Sequence, residues 1–351
     1  MKFDFKKLLV GAVIIVVLAV FFLRGDQLVQ LSETVQQGSM IPLVAAVFTQ
    51  LCKYVAQSFG YVFSFAAVGE KMVPRATLPL VFGTFFMNTV APSLNLAGMT
   101  LVVDDARRRG IDPGKSSSAA LLMQITIDGA VVTLMIVGFA ITVLFAGMSP
   151  LWFIPGIVVI GLVAAMIAIM VLGNKNPALL LHVARAIERF VNRVLGLFKR
   201  GPLDPWAERI ICMFSDAAGL ILENPKPAFK AYGTSLVASL CELACFSLVG
   251  VSFGVEDPAV LLCGYVIATL FAMVSFTPQG VGFVEAAVVV AFTAFGQTAA
   301  AGTAIGLVYR GIVFWIPFLI GAVLITRTKT FSRRDDKASG DKGGDDKGEA
   351  A

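Results

Sequence analysis

Five ionisable side chains stand inside long apolar runs of this sequence: Lys53, Asp128, Glu242, Glu285 and Arg310, with Asn88, Asn95, Gln124 and Gln279 as polar company. A charge in hydrocarbon is costly, so unless it can snorkel to the surface it faces a cavity or a partner. Arg310 is the strongest candidate. It lies about ten residues into an apolar stretch, too deep for easy snorkelling, and guanidinium is a natural two-pronged partner for phosphate or carboxylate. The alternative is a buried pair with Glu285 or Glu242 that holds helices together, and the two readings are compatible. Lys53 is the other candidate cation. Asp128 and Gln124 are one helical turn apart and share a face, which either lines a cavity or makes interhelical hydrogen bonds. Glu285 and Glu242 are candidate proton carriers.

The run TPQGVGFVE, Thr277 to Glu285, adds backbone chemistry. Thr277 and Pro278 end one helix, and Gly280 and Gly282 let the chain bend and approach another group closely. A second helix starting near Gly282 would present unpaired N–H groups and a dipole that suit an anion such as a lipid phosphate. The alternative is a tight turn whose glycines serve packing alone. The run is not a phosphate loop, since GKS and GKT are absent. His182 lies on an amphipathic segment and reads as solvated or interfacial, and no nucleophile has a local histidine. Cys52, Cys212, Cys241, Cys245 and Cys263 are scattered, so neither a disulfide nor a zinc site is expected.

The elements that must position these residues follow from hydropathy. Of 351 residues, 57% are apolar and 15% charged, with mean hydropathy +0.84, which excludes a soluble enzyme. A helix needs about twenty apolar residues to cross roughly 30 Å of hydrocarbon. Such spans are expected near 8–23, 41–68, 118–147, 151–172, 228–254 and 300–325. Two further stretches, 76–103 and 258–296, are interrupted by proline beside small or polar residues, at NTVAPSLNLAG and SFTPQGVGFVE. The first span has the charge order of a signal peptide but no small-residue cleavage site, so it is read as uncleaved.

Charge sets the threading. If each broken stretch returns to its own side, every basic segment is cytoplasmic: Lys2, Lys6 and Lys7; Lys71 and Arg75; Arg107 to Arg109 and Lys115; Lys175 to Lys230; and the tail from Arg327. Both termini are then cytoplasmic. A re-entrant hairpin and two full spans satisfy this equally. Length favours the hairpin for the first stretch, whose halves reach only ~22 and ~17 Å; the second is open. A shift of 186 positions places Phe85, Met87, Pro92 and Gly110 on Phe271, Met273, Pro278 and Gly296. With the opposed threading, that is an inverted repeat of the kind many secondary transporters use.

The expected fold is therefore all-α and polytopic: about six full spans plus two broken or re-entrant helical hairpins in an inverted repeat. Residues 1–331 form the membrane domain. Its cytoplasmic insert, about 173–227, includes the amphipathic stretch 178–200, which suits the anionic headgroup layer or, alternatively, neighbouring loops. Residues 332–351 form a charged tail without core-forming residues and are expected to be disordered.

TPQGVGFVEAAVVVAF followed by AIGLVYRGIVFWIP resembles the transmembrane, flippase-like domain of the lysylphosphatidylglycerol synthase family, over roughly residues 5–328. Pro278, Gly280, Gly282, Glu285, Tyr309 and Arg310 carry the resemblance. The first repeat departs from it, reading NLAGM at 95–99 where relatives carry a glutamate, so no acidic role is expected there. The resemblance implies movement of a lipid, a phospholipid or a polyisoprenoid or glycolipid, across the bacterial cytoplasmic membrane. The soluble aminoacyl-transfer domain of full-length synthases is not expected here. In this reading Arg310 and Lys53 neutralise a headgroup phosphate, Gly280 and Gly282 present donors, and Glu285 positions Arg310 or binds a cationic group. The chain is expected to be no enzyme and to need no cofactor, with lipid as its partner and no nucleic acid; a homo-oligomer or an envelope-synthesis partner stays open. The rival is an integral-membrane transferase or accessory subunit for lipid-linked glycans. Its acid or base would have to be Asp104, Asp105 or Asp112.

Overall fold

The computed structural model describes residues 38–91, 95–145, 223–274 and 282–327, with isolated positions elsewhere, among them His182 and Gly280. These residues form helices joined by short turns, with no strand among them. In chain order the helices are α1 (Met40–Ala67), α2 (Pro74–Val90), α3 (Leu96–Arg108), α4 (Pro113–Phe145), α5 (Pro225–Ser252), α6 (Pro258–Val274), α7 (Phe283–Ala294), α8 (Ala299–Arg310) and α9 (Ile316–Arg327). A π turn, Gly311–Trp315, joins α8 to α9.

Among the described residues, four units are long and apolar enough to cross a membrane: Met40–Ala67, Pro113–Gly138, Pro225–Ser252 and Ala299–Ile325. They match four of the six expected spans. The other two, near 8–23 and 151–172, lie outside the described residues, as do the tail and most of the amphipathic stretch.

Helices α1 and α5 form the most extensive pairing and run antiparallel, tied at both ends. At one end the Ser39 N–H donates to the Ser252 carbonyl and the Ser252 hydroxyl to the Ser39 carbonyl, both at 3.0 Å. At the other, the Asn224 amide donates to the Ala67 carbonyl at 3.1 Å. Small hydroxyls link the remaining long helices without bulk: Thr126 accepts from Ser235 at 3.1 Å, and Thr133 meets the Tyr232 hydroxyl at 2.8 Å. Along α1, Met40, Val44, Phe48, Leu51, Val55 and Phe59 form an exposed stripe, a surface suited to acyl chains rather than water.

Each broken stretch is two short helices packed on each other. Helices α2 and α3, with 17 and 13 residues, reach only about 26 and 20 Å, and α6 and α7, with 17 and 12, are as short. The open end of the α2–α3 hairpin lies beside the C-terminus of α1, where Lys115 at the start of α4 pairs with Glu70 at 2.8 Å. Helix α6 starts at the opposite end of the α1–α5 pair, six residues after Ser252. Asp112 and Asp257 each precede a proline and cap α4 and α6 through their carboxylates. Gly110 and Gly296 close α3 and α7 with φ of 84° and 77°, a backbone region only glycine enters cheaply.

The π turn has a local cause. Pro317 has no N–H for the Val313 carbonyl one turn earlier and its ring crowds that turn, so the helix widens there. The released Val313 carbonyl faces the Tyr54 hydroxyl of α1 at 3.5 Å. Beyond it, α9 crosses α2 where Gly321 meets Phe82 and Phe86. A Cβ at Gly321 would stand 2.5 Å from the Phe82 carbonyl oxygen, a backbone atom that cannot swing aside. Gly321→Val should therefore cost about 1–3 kcal/mol of stability. Gly233→Ala, in open space on α5, should be neutral or slightly stabilising. Thermal unfolding of both variants in detergent checks the contrast.

Candidate functional site

Arg310 is the last residue of α8 and is only 7% exposed, and its depth depends on two glycines. Gly302, Gly306 and Arg310 follow one another at four-residue spacing on one face, a small-xxx-small pattern that lets α8 press against α7. A Cβ at Gly302 would lie 3.0 Å from the Val289 Cα, and one at Gly306 would lie 3.5 Å from the Glu285 Cα. The next step along that face sets the Arg310 Nε 3.5 Å from the Glu285 Oε1. The guanidinium also lies over the Phe314 ring, 5.0 Å from its centroid. The glycine spacing is plain in the sequence, and it is the signal that the reading from residue types passed over.

Glu285 has a second task. Its Oε2 accepts the Gly282 N–H at 2.7 Å, closing the first turn of α7. The helix start expected to receive an external anion thus already holds the chain's own carboxylate, which links that helix end to Arg310. Gly280 and Gly282 have φ of 71° and 90°, so the expected bend is present. Gln279 lies outside the described residues.

At the first break a neutral group acts in place of the acid. The Asn88 Oδ1 on α2 accepts the Gly98 N–H in the first turn of α3 at 2.7 Å, and Asn95 precedes α3 with φ of 67°. Gly98 leaves room for this bond: a Cβ would lie 2.7 Å from that Asn88 oxygen and would push the side chain aside.

Lys53 of α1 pairs with Glu242 of α5 at 2.5 Å, with side-chain exposures of 14% and 15%, so the ion pair joins the two central helices. Beside it the Gln50 amide donates to the Tyr54 hydroxyl at 2.8 Å. Gln124 and Asp128 face each other on α4, with the amide nitrogen 2.9 and 3.0 Å from the two carboxylate oxygens. The structure thus groups the candidates as Arg310 with Glu285 and Gly282, Lys53 with Glu242, Gln124 with Asp128, and Asn88 beside Asn95 and Gly98. Each cation already has a carboxylate.

With this geometry in hand, comparison with known families matches residues 8–321 to the transmembrane region of lysylphosphatidylglycerol synthase. The chain belongs to that family. No curated protein sequence matches it. Membership supports an integral membrane protein related to lipid modification or transport.

The Lys53–Glu242 pair makes a measurable statement about this family member. Removing one partner strands a charge among helices, at a cost of roughly 3 kcal/mol, whereas replacing both by apolar residues removes the desolvation cost as well. Lys53→Met and Glu242→Met should each lower stability by about that much, and the double variant should return to within about 1 kcal/mol of the parent. Additive losses in chemical denaturation would show that the pair is not the coupling.

Proposed function

We propose that this protein moves a lipid with an anionic headgroup, a phospholipid or a polyisoprenoid or glycolipid, across the bacterial cytoplasmic membrane, without itself being an enzyme. The observation that carries the reading is Arg310: a guanidinium held between a carboxylate and an aromatic face, deep in an apolar helix, beside a broken hairpin. Such a group exchanges one anionic partner for another at small cost, because the headgroup phosphate replaces the Glu285 contact while Glu285 keeps its bond to Gly282. The acyl chains stay against exposed apolar faces such as that of α1.

The helix pairings support an inverted repeat. Exchanging α1–α4 for α5–α9 exchanges α4 against α6 with α9 against α2. The register agrees with the shift of 186 positions: Met135 packs on Leu270, and Gly321, the shifted counterpart of Met135, meets Phe82 and Phe86 on either side of position 84. In this reading α2–α3 re-enters from the cytoplasm and α6–α7 from outside, and both termini are cytoplasmic.

The three acids from which a transferase would draw its acid or base have structural work. Asp104 pairs with Arg108 at 3.0 Å, Asp105 with Arg109 at 2.7 Å, and Asp112 caps α4. These engagements favour transport over transfer.

Reconstituted vesicles carrying a fluorescent phospholipid or polyisoprenyl phosphate test the proposal through quencher access from outside. The parent protein should accelerate exchange between leaflets. Arg310→Ala should lower the rate ~10- to 100-fold, as expected for losing a charge-assisted hydrogen bond of about 1.5–3 kcal/mol, and Arg310→Lys should keep part of it. An unchanged rate in folded Arg310→Ala would overturn the reading. A missing covalent lipid product in cells, with leaflet distribution unaltered, would favour the transferase.

A further inference from the structure

The Lys53–Glu242 pair is the outer edge of a larger polar cluster. Gln50, Lys53 and Tyr54 lie at i, i+3 and i+4 on one face of α1, and Glu242, Cys245 and Phe246 repeat that spacing on the facing side of α5. Two tyrosines complete the junction. Tyr265 of α6 and Tyr309 of α8 both pack edge-on against the Phe246 ring, with centroids 6.0 and 5.0 Å away. Glu242 and Cys245 act electrostatically on the hydroxyls of Tyr54, Tyr265 and Tyr309 alike, so groups from α1, α6 and α8 converge on a single turn of α5.

Much of this cluster is satisfied from within. Lys53 has Glu242, and the Tyr54 hydroxyl accepts from the Gln50 amide and stands 3.5 Å from the Val313 carbonyl. Two buried atoms are left over. The Gln50 Oε1 and the Tyr265 hydroxyl belong to residues only 1% and 0% exposed, and neither has a hydrogen-bond partner; Tyr265 lies near Thr269 and the Glu242 carboxylate without bonding geometry to either. Turning the Gln50 amide over would give its oxygen to Tyr54 and strand its nitrogen instead, so one half of the amide goes unmet in either orientation. Buried polar atoms without partners are rare in folded proteins, and a pair of them at one junction marks a place where another molecule bonds.

The surrounding charge selects the occupant. Lys53 opposes a metal cation and Glu242 opposes an anion, and together they cancel. The Gln50 oxygen asks for a donor, and a tyrosine hydroxyl both gives and takes a hydrogen bond. A neutral hydroxyl group meets both demands. Its source is narrowed by position: Tyr309 is the chain neighbour of Arg310, and the Val313 carbonyl beside Tyr54 lies three residues after it, so the cluster and the guanidinium are within about one helical turn, ~5.4 Å, along the same helix. Lys53 and Glu242 are partly exposed while Gln50 and Tyr265 are buried, so the cluster runs inward from the ion pair.

We propose that the junction of α1, α5, α6 and α8 is a subsite for the hydroxyls of a neutral polyol, glycerol or a sugar, carried on the headgroup whose phosphate meets Arg310. The polyol rests on the transport reading above; the demand of Gln50 and Tyr265 for a hydroxyl does not. Water offers the same chemistry, and the test separates the two sources. Discrimination follows from the same demand, because a headgroup without hydroxyls leaves both buried atoms unmet.

Native mass spectrometry of the purified protein tests binding without transport. The probes are phosphatidylglycerol, phosphatidylinositol and phosphatidylpropanol with the same acyl chains; the last keeps the single negative charge and the three-carbon headgroup but has no hydroxyl. At least one of the two polyol lipids should bind ~5- to 20-fold more tightly than phosphatidylpropanol, as expected for one or two added hydrogen bonds. Gln50→Leu and Tyr265→Phe should each erase most of that preference while leaving phosphatidylpropanol binding unchanged, which also shows that the variants are folded. The exposed-loop control Glu256→Gln should keep it. No preference in the parent, or one that survives in both variants, overturns the subsite. Equal affinities together with a water resolved between Gln50 and Tyr265 by cryo-EM assign the hydroxyl to water and overturn the polyol. Preference without lipid movement in vesicles upholds the subsite and overturns the transport reading, and movement without preference does the reverse.

Discussion

A charge inside hydrocarbon must be answered by another group, and this constraint organises the molecule. An ionised side chain at the centre of a bilayer helix costs about 2.5–3.5 kcal/mol on insertion scales. Lys53 has Glu242, and Arg310 has Glu285 and the Phe314 face. Backbone ends obey the same rule, since a helix that stops within the membrane exposes N–H and C=O groups that no lipid can satisfy. Glu285 answers both demands at once, capping α7 with one oxygen and meeting Arg310 with the other. The pairing also suits the proposed transport, because an arginine that already has an acceptor can take another without passing through a bare charge.

The means of approach are glycines and small hydroxyls rather than bulky contacts. Gly302 and Gly306 bring α8 onto α7, Gly321 brings α9 onto α2, and Gly98 makes room for Asn88. Between α8 and α9 the π turn shifts the register of everything after Arg310, so that Phe314 lies beneath the guanidinium and Phe318 reaches Phe86. Lipid tails supply no hydrophobic drive for helix association, so close packing of this kind carries the fold.

Much of this was legible in the sequence. The four described spans, the two breaks and their short arms follow from run length and proline placement. The need of Arg310 for a carboxylate follows from the cost of charge in apolar segments, although the sequence left Glu285 and Glu242 both open and the structure gives it Glu285. The partner of Lys53 was not legible: Glu242 lies 189 residues away, and no local period says which faces of α1 and α5 will meet. The π turn needed Pro317 to be read against Val313 one turn earlier rather than as a mere span residue. Asn88 could be seen as polar, but that its oxygen would cap α3 depends on the turn that brings the two helices side by side. The helix start expected near Gly282 is present, and the acid three residues on reaches back to its N–H, a contact that needed the first turn of α7 to be read as a cap.

The account depends on Arg310 meeting a lipid headgroup inside the membrane, between two helices that stop short of crossing it. The most direct measurement is a cryo-EM map of the protein in nanodiscs of bacterial lipid. It should show headgroup density within hydrogen-bonding distance of the Arg310 guanidinium, with α2 and α3 still separated between Val90 and Leu96. A guanidinium pointing into acyl tails with no headgroup beside it, or one unbroken helix through that point, would contradict it.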